Sequence, residues 1–343
     1  MTRAAKLRRW APPAALALGL AGCATPGGSA GGPRSLSDFE VPSRPGAPAV
    51  LALMPNSPTA RETFRGLVEE LGEDVNFRYR VVDEATTPER IARWVRTARP
   101  RAVVVMNNPT LRVYRRYQTA SGDEGRNIPV VGILTSFLRE SGRGVQNLGG
   151  VIYEVPLLTS VVNLRSLVDQ PVRRVGVLHR RIFGRFLDEQ GRLAAPEGVE
   201  LVPVEIENAT PTKIREGLAR LRLDQRVDAI WILNDNRLLT RELVRDAWLP
   251  ALRDNATPVI VNVRSLLSSR VDFGSFAVLP DHFALGAQAG QMLANIADRG
   301  WTFGARGGFE YPVAVRKVLD VGFARENLAL VEDELRAVDE LVE

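Results

Sequence analysis

The chain has 343 residues, 45% of them hydrophobic and 25% charged, which is enough for a packed core and for two domains. The formal net charge is +5, but Arg3, Lys6, Arg8 and Arg9 crowd the first 22 positions beside no acid, leaving 41 basic against 40 acidic residues in the rest. A body so close to neutrality argues against nucleic acid as a partner, and a single cysteine excludes an intramolecular disulfide.

The first stretch, MTRAAKLRRW, is a positive n-region, and APPAALALGL is an apolar run too short to span a bilayer. It ends in Leu20-Ala21-Gly22-Cys23, which resembles the bacterial lipobox and marks residues 1–22 as a lipoprotein signal peptide. Acyl chains on Cys23 anchor such a protein to a membrane without spanning it. Ala24 does not specify inner-membrane retention by the sorting rules of such lipoproteins. Residues 24–48 are rich in Gly, Pro and Ser without apolar period, so 23–48 reads as a lipidated cysteine and flexible tether.

From Ala49 on, strand and helix alternate. PAVLALMP predicts a strand and 57–71 a helix capped by Ser57 or Thr59, with Phe64, Leu67, Val68 and Leu71 as its apolar stripe. NFRYRVVD is a strand, and Thr87 before Pro88 opens a helix to about residue 98. RAVVVMN is a strand, Pro109 opens the next helix and NIPVVGIL is a strand. Residues 135–147 predict a loop, 148–153 a short strand and 155–168 a helix. The pattern then restarts. RRVGVLHR, VELVPVEI, VDAIWIL, TPVIVNV and FGSFAVL predict strands, with helices over 183–193, 211–223, 238–252 and 282–298. The terminal ELRAVDELVE predicts an amphipathic helix through Leu335, Val338, Leu341 and Val342. Such alternation indicates α/β architecture with parallel sheets.

Open parallel sheets bind ligands beyond the carboxyl ends of their strands. The candidates there are Asn56 and Ser57 after the first strand, Asn107 and Asn108 after the third, and Thr135 and Ser136 after the fourth. Each stands near a helix N-terminus, where free N–H groups and the dipole favour an anion. Helix capping explains Ser57 and Asn108 equally well. The second half offers Arg180 and Phe183, Asp235 and Asn236, Asn262 and Arg264, and Asp281. Asp235 is either the partner of an ammonium group or a turn aspartate, and Asp281 caps the helix at His282 or shapes a hinge. Phe183 could stack on an aromatic ligand. The chain has two histidines, no HExxH, no CxxC and no GxxxxGK[ST], so neither an enzyme, a metal nor a cofactor is expected.

RVGVLHR, VDAIWILNDN, TPVIVNV and FGSFAVLPDHFALGAQAGQMLANI, followed by FEYPVAVRKVLDVGFA, resemble successive blocks of ABC-transporter substrate-binding proteins of the tryptophan/tyrosine-binding type. The resemblance implies the type I periplasmic-binding fold: two Rossmann-like lobes with parallel sheets and three crossovers. Lobe 1 would be 49–153 plus 279–311, and lobe 2 would be 154–278 plus 312–343. It implies a small-molecule ligand in the cleft, an amino acid or related metabolite approached by Asp235 and Asn236, and an ABC permease in the inner membrane as partner. The chain departs from the pattern at Val278-Leu279, at His282 and at Ser136-Phe137. Those departures keep open a non-transport envelope lipoprotein, a sensor or assembly factor, on the same fold.

Overall fold

The computed structural model describes residues 43–252, 256–267, 273–303 and 308–342. The leader, Cys23 and residues 24–42 of the tether lie outside the described residues. In chain order the elements of the first half are β1 (Ala49–Met54), α1 (Pro58–Leu71), β2 (Asn76–Val81), α2 (Pro88–Ala98), β3 (Ala102–Met106), α3 (Asn108–Ser121), α4 (Asp123–Arg126), β4 (Val130–Ile133), α5 (Leu138–Ser141) and β5 (Leu148–Val151). Then follow α6 (Leu157–Arg165), β6 (Arg174–His179), α7 (Gly184–Ala194), β7 (Glu200–Glu205), α8 (Pro211–Ala219) and β8 (Ala229–Ile232). The chain closes with α9 (Arg241–Leu243), α10 (Leu249–Leu252), β9 (Val259–Val261), β10 (Phe276–Pro280), α11 (His282–Asp298), β11 (Phe309–Glu310), β12 (Val315–Asp320), α12 (Val321–Asn327) and β13 (Glu340–Val342).

Two sheets result. One has six strands in the order β11-β5-β4-β3-β1-β2, all neighbours parallel. The other has seven in the order β13-β12-β10-β9-β8-β6-β7, parallel except for β10 against β12. Both faces of each sheet are covered. Val50, Ala52 and Met54 of β1 enter one apolar cluster while Leu51 and Leu53 enter another. Ala229 and Trp231 of β8 likewise face away from Ile230 and Ile232. Burial on two faces is why these strands are written as continuous apolar runs. The chain passes from the first sheet to the second after β5, back after β10, and across again between β11 and β12, which gives two α/β lobes joined by three crossovers.

Local signals set the helix starts. Ser57, not Thr59, caps α1 by accepting from the Ala60 amide, and Thr87 accepts from Arg90 ahead of Pro88 at the first turn of α2. Three expectations need correction. Residues 138–141 of the expected loop form one helical turn, α5. The helix expected over 238–252 starts at Arg241, because Thr240 takes the cap by accepting from the Leu243 amide, and it runs through a π turn at Val244–Trp248. The expected C-terminal helix is a 3-10 segment, Glu332–Ala337, followed by β13, which adds to the edge of β12. Neighbouring residues there alternate, Leu341 half-exposed and Val342 packed on the core, so the apolar spacing serves period 2 rather than 3.6.

Helix α11 lies along α1 at glycine contact. A Cβ on Gly286 would stand 1.9 Å from the Thr63 carbonyl oxygen, and one on Gly66 would stand 2.0 Å from that of Phe283. Only glycine permits this backbone approach. Gln288, buried in the same helix, donates to the Tyr311 carbonyl at 2.9 Å and accepts from the Val313 amide at 3.2 Å, fixing the last crossover.

Candidate functional site

The strand ends of the two lobes meet at a seam. On the first lobe the turn after β4 is the tightest point. Leu134 (φ 54°) and Phe137 (φ 51°) are both left-handed without being glycine, a conformation that costs about 1–3 kcal/mol each and gathers at functional sites. The turn is held from within. Asn108 donates to the Ser136 carbonyl and to Ser141 Oγ, both at 2.9 Å, and accepts from the Ser136 amide at 3.0 Å. Asn107, rather than Asn108, caps α3 by accepting from the Thr110 amide at 3.0 Å. Thr135 is fully buried and donates to the Ile133 carbonyl.

That turn drives Phe137 into the other lobe. Its ring lies 4.3 Å from that of Phe183 and 5.4 Å from that of Phe186, with Trp231 beyond Phe186. Its amide donates to Oε1 of Glu154 at 2.9 Å. Beside it, Asn234 donates weakly across the seam to Ser136 Oγ at 3.4 Å. Farther out, both Glu189 oxygens accept from Arg139 at 2.6 and 2.8 Å. The Tyr311 hydroxyl donates to Glu189 at 3.1 Å and accepts from Gln190 at 2.8 Å.

Asp235 is 3% exposed. Arg180 grips it side-on, Nε to Oδ2 at 2.6 Å and Nη2 to Oδ1 at 2.8 Å, while lying over the Phe183 ring. The Arg237 amide also donates to Oδ1, so the carboxylate is fully engaged inside its own lobe. Asn236 is exposed. Arg264 is committed to Glu340 of β13 in an ion pair. Asp281 caps α11 through the Ala284 amide. Asn56 is exposed and accepts from Arg61, and Ser57 is the α1 cap. The structure therefore brings Ser136, Phe183 and Asn262 to the seam with Asn234. Asn56, Ser57, Asn107 and Arg264 serve their own lobes.

Three groups that carry the seam were absent from the sequence candidates: Phe137, Glu154 and the Arg139–Glu189 pair. Phe137 had left a signal, as one of the departures from the resembled pattern. Glu154 is 4% exposed, and its Oε2 has no hydrogen-bond partner among the described residues. Burial pushes its carboxyl up to about 7, against the relief given by the Phe137 amide. Asn262 donates to the Ile232 carbonyl at 3.3 Å, and its Oδ1 is also buried without a partner among the described residues. Both residues line a space of about 10 Å³ with Tyr153, Val155, Asn234, Val278 and Pro280. At the adjacent crossovers Tyr153 stacks on His282, its hydroxyl 3.1 Å from Nε2, and burial holds that imidazole below its ordinary pKa. A larger open depression, about 700 Å³, lies at the opposite ends of the second sheet's strands around Gln170 and Arg173 and collects none of the candidate residues.

One solved structure settles the architecture. The ligand-free, open structure of a substrate binding protein with adhesive properties from Clostridium difficile superposes with a TM-score of 0.56, covering 82% of this chain and 98% of that one at 14% identity. This chain has the type I periplasmic-binding fold. Further similar structures with that fold include an ABC domain in complex with L-Trp from Streptococcus pneumonia (TM-score 0.49, 15% identity, 86% of this chain and 100% of that one). Another is a periplasmic ribose ABC transporter from Conexibacter woesei (TM-score 0.46, 16% identity, 82% and 94%). No family model matches the chain, and no curated protein matches it in sequence. The seam described above is the inter-lobe cleft of the type I periplasmic-binding fold.

Proposed function

We propose that the chain is an extracytoplasmic solute-binding lipoprotein. Acyl chains on Cys23 hold it at a membrane, the tether frees the body, and the lobes close on a small molecule that an ABC permease of the inner membrane receives. The observation that carries this reading is the seam itself. Strand ends of two parallel sheets converge on buried polar atoms, Glu154 Oε2 and Asn262 Oδ1, that lack partners among the described residues. Ligand entry requires the lobes to separate, because about 10 Å³ holds no more than one water-sized group. Native mass spectrometry of the protein purified from its envelope tests the proposal. A stoichiometric small molecule, released on unfolding and identified, is the expected result. Labelling with a palmitate analogue, abolished by Cys23→Ser, tests the anchor.

A second reading, a non-transport envelope lipoprotein acting as sensor or assembly factor, is favoured by one feature. The chain's own groups fill the positions a ligand would take, with Phe137 between the lobes and Arg180 on Asp235. Recovery of a protein partner with no small molecule in any preparation supports it and sinks the transport reading.

A further inference from the structure

Two buried polar atoms without partners among the described residues belong to side chains that line one small space at the seam. Once ionised, Glu154 offers only an acceptor, Oε2, beside Asn262 Oδ1; neither atom has a partner among the described residues, and the other residues lining the space carry no cation. Two guanidinium groups at the seam are committed elsewhere, Arg180 to Asp235 and Arg139 to Glu189. A ligand carboxylate would find neither of them free. The available volume, about 10 Å³, matches one water-sized head group. Resting on the solute-binding reading, we propose that the seam receives the ammonium head of a small primary amine that carries no carboxylate, with Glu154 as its counter-ion and Asn262 Oδ1 as a second acceptor. The alkyl part of the amine would lie where Phe137 now packs, between Phe183 and Phe186, once the lobes part.

Proton linkage makes the assignment testable. Glu140 on α5 opposes the ionisation of Glu154, and Tyr153 on the same segment is itself raised by burial. Beyond Tyr153 stand His282 of α11 and, beside it, Arg316 of β12. Arg139, Glu189 and Tyr311 share the second small space it lines, with Arg139 and Glu189 already paired. Glu154 must therefore lose its proton to receive an ammonium ion, and affinity falls with acid below about pH 7, approaching tenfold per unit.

The experiment is titration calorimetry of the full-length protein in detergent micelles with putrescine, cadaverine, 4-aminobutyrate, L-lysine and succinate, from pH 5.5 to 8.5. Saturable binding of putrescine or cadaverine is expected, with 4-aminobutyrate and L-lysine weaker and succinate absent. Glu154→Gln should weaken the diamine roughly 100-fold and flatten the pH dependence, and Asn262→Leu should weaken it roughly tenfold. Should Glu154→Gln fail to fold, the pH dependence of the wild-type protein and the Asn262→Leu variant still decide the matter. Diamine binding that ignores pH, or 4-aminobutyrate binding as well as putrescine, overturns the assignment. A neutral or anionic solute found by mass spectrometry, with no amine bound, overturns it too and leaves the solute-binding reading standing. An empty protein that takes none of the panel removes both.

Discussion

Asp235 and Arg180 form the most committed pair at the seam, and their burial is unequal. The aspartate side chain is 2% exposed and the arginine side chain 23%. Removing the arginine strands a carboxylate in the interior, whereas removing the aspartate leaves a guanidinium that can rehydrate. Arg180→Met should therefore destabilise the protein by about 3–5 kcal/mol. Asp235→Asn should cost distinctly less, and the double variant Arg180→Met with Asp235→Leu should recover most of the loss. Urea midpoints of the four proteins check this, and equal losses from the two single variants would count against it. The sequence displayed Asp235 as a carboxylate at a strand end, a place that suits an ammonium ligand. Its partner stands 55 residues earlier at the end of a neighbouring strand, a distance that only sheet order closes. Glu154 was less legible still. A Tyr-Glu-Val run after a short strand looks like a solvated turn, and it becomes a buried carboxyl only because the two lobes enclose it.

At the scale of elements, the contact between α1 and α11 depends on absent side chains. Gly286→Ala places a methyl 1.9 Å from a backbone oxygen, so the helices must move apart, with an expected loss of about 1–3 kcal/mol. Gly184, at the start of α7, has nothing within 4 Å of its would-be Cβ and a right-handed backbone, φ −52°. Gly184→Ala should be neutral or stabilise by about 0.4–1 kcal/mol. Thermal unfolding of the two alanine variants side by side separates crowding from helix propensity. The strands were legible because both faces of each sheet are buried and the apolar runs stand out. The Leu285–Gly290 block drew attention as a resemblance, and the structure supplies its physical cause. The C-terminal segment misled because Leu335, Val338, Leu341 and Val342 fit a helical stripe as easily as a turn plus an edge strand. The unpaired edge of β12 decided between them.

For the whole molecule, the burial of Glu154 between the lobes predicts that lobe closure is coupled to protonation. Glu154 sits where the chain first leaves the six-stranded sheet, one oxygen on the Phe137 amide and no cation paired with it among the described residues. Its carboxyl is raised from 4.5 to about 7, so the native protein holds a proton that the unfolded chain releases. A raised folded-state value contributes stability that is complete below about pH 4.5 and is lost as pH rises through about 7. The full span corresponds to roughly 3.5 kcal/mol at about 1.4 kcal/mol per unit. The wild-type protein should thus lose stability between pH 5 and pH 8, and Glu154→Gln, neutral throughout, should not. Part of that loss should appear as lobe separation before unfolding, since the charged carboxylate is rehydrated once Phe137 withdraws. The Arg139–Glu189 pair opposes opening from the rim, but with side chains 37% and 28% exposed it is a weak clasp, worth about 1 kcal/mol or less. Small-angle scattering at pH 5.5 and pH 8.5 reads the difference directly. A radius of gyration that grows with pH in the wild type, grows further in Arg139→Ala and stays constant in Glu154→Gln is the expected pattern. An identical radius at both pH values in all three proteins would mean that the seam answers only to a ligand and not to its own carboxyl.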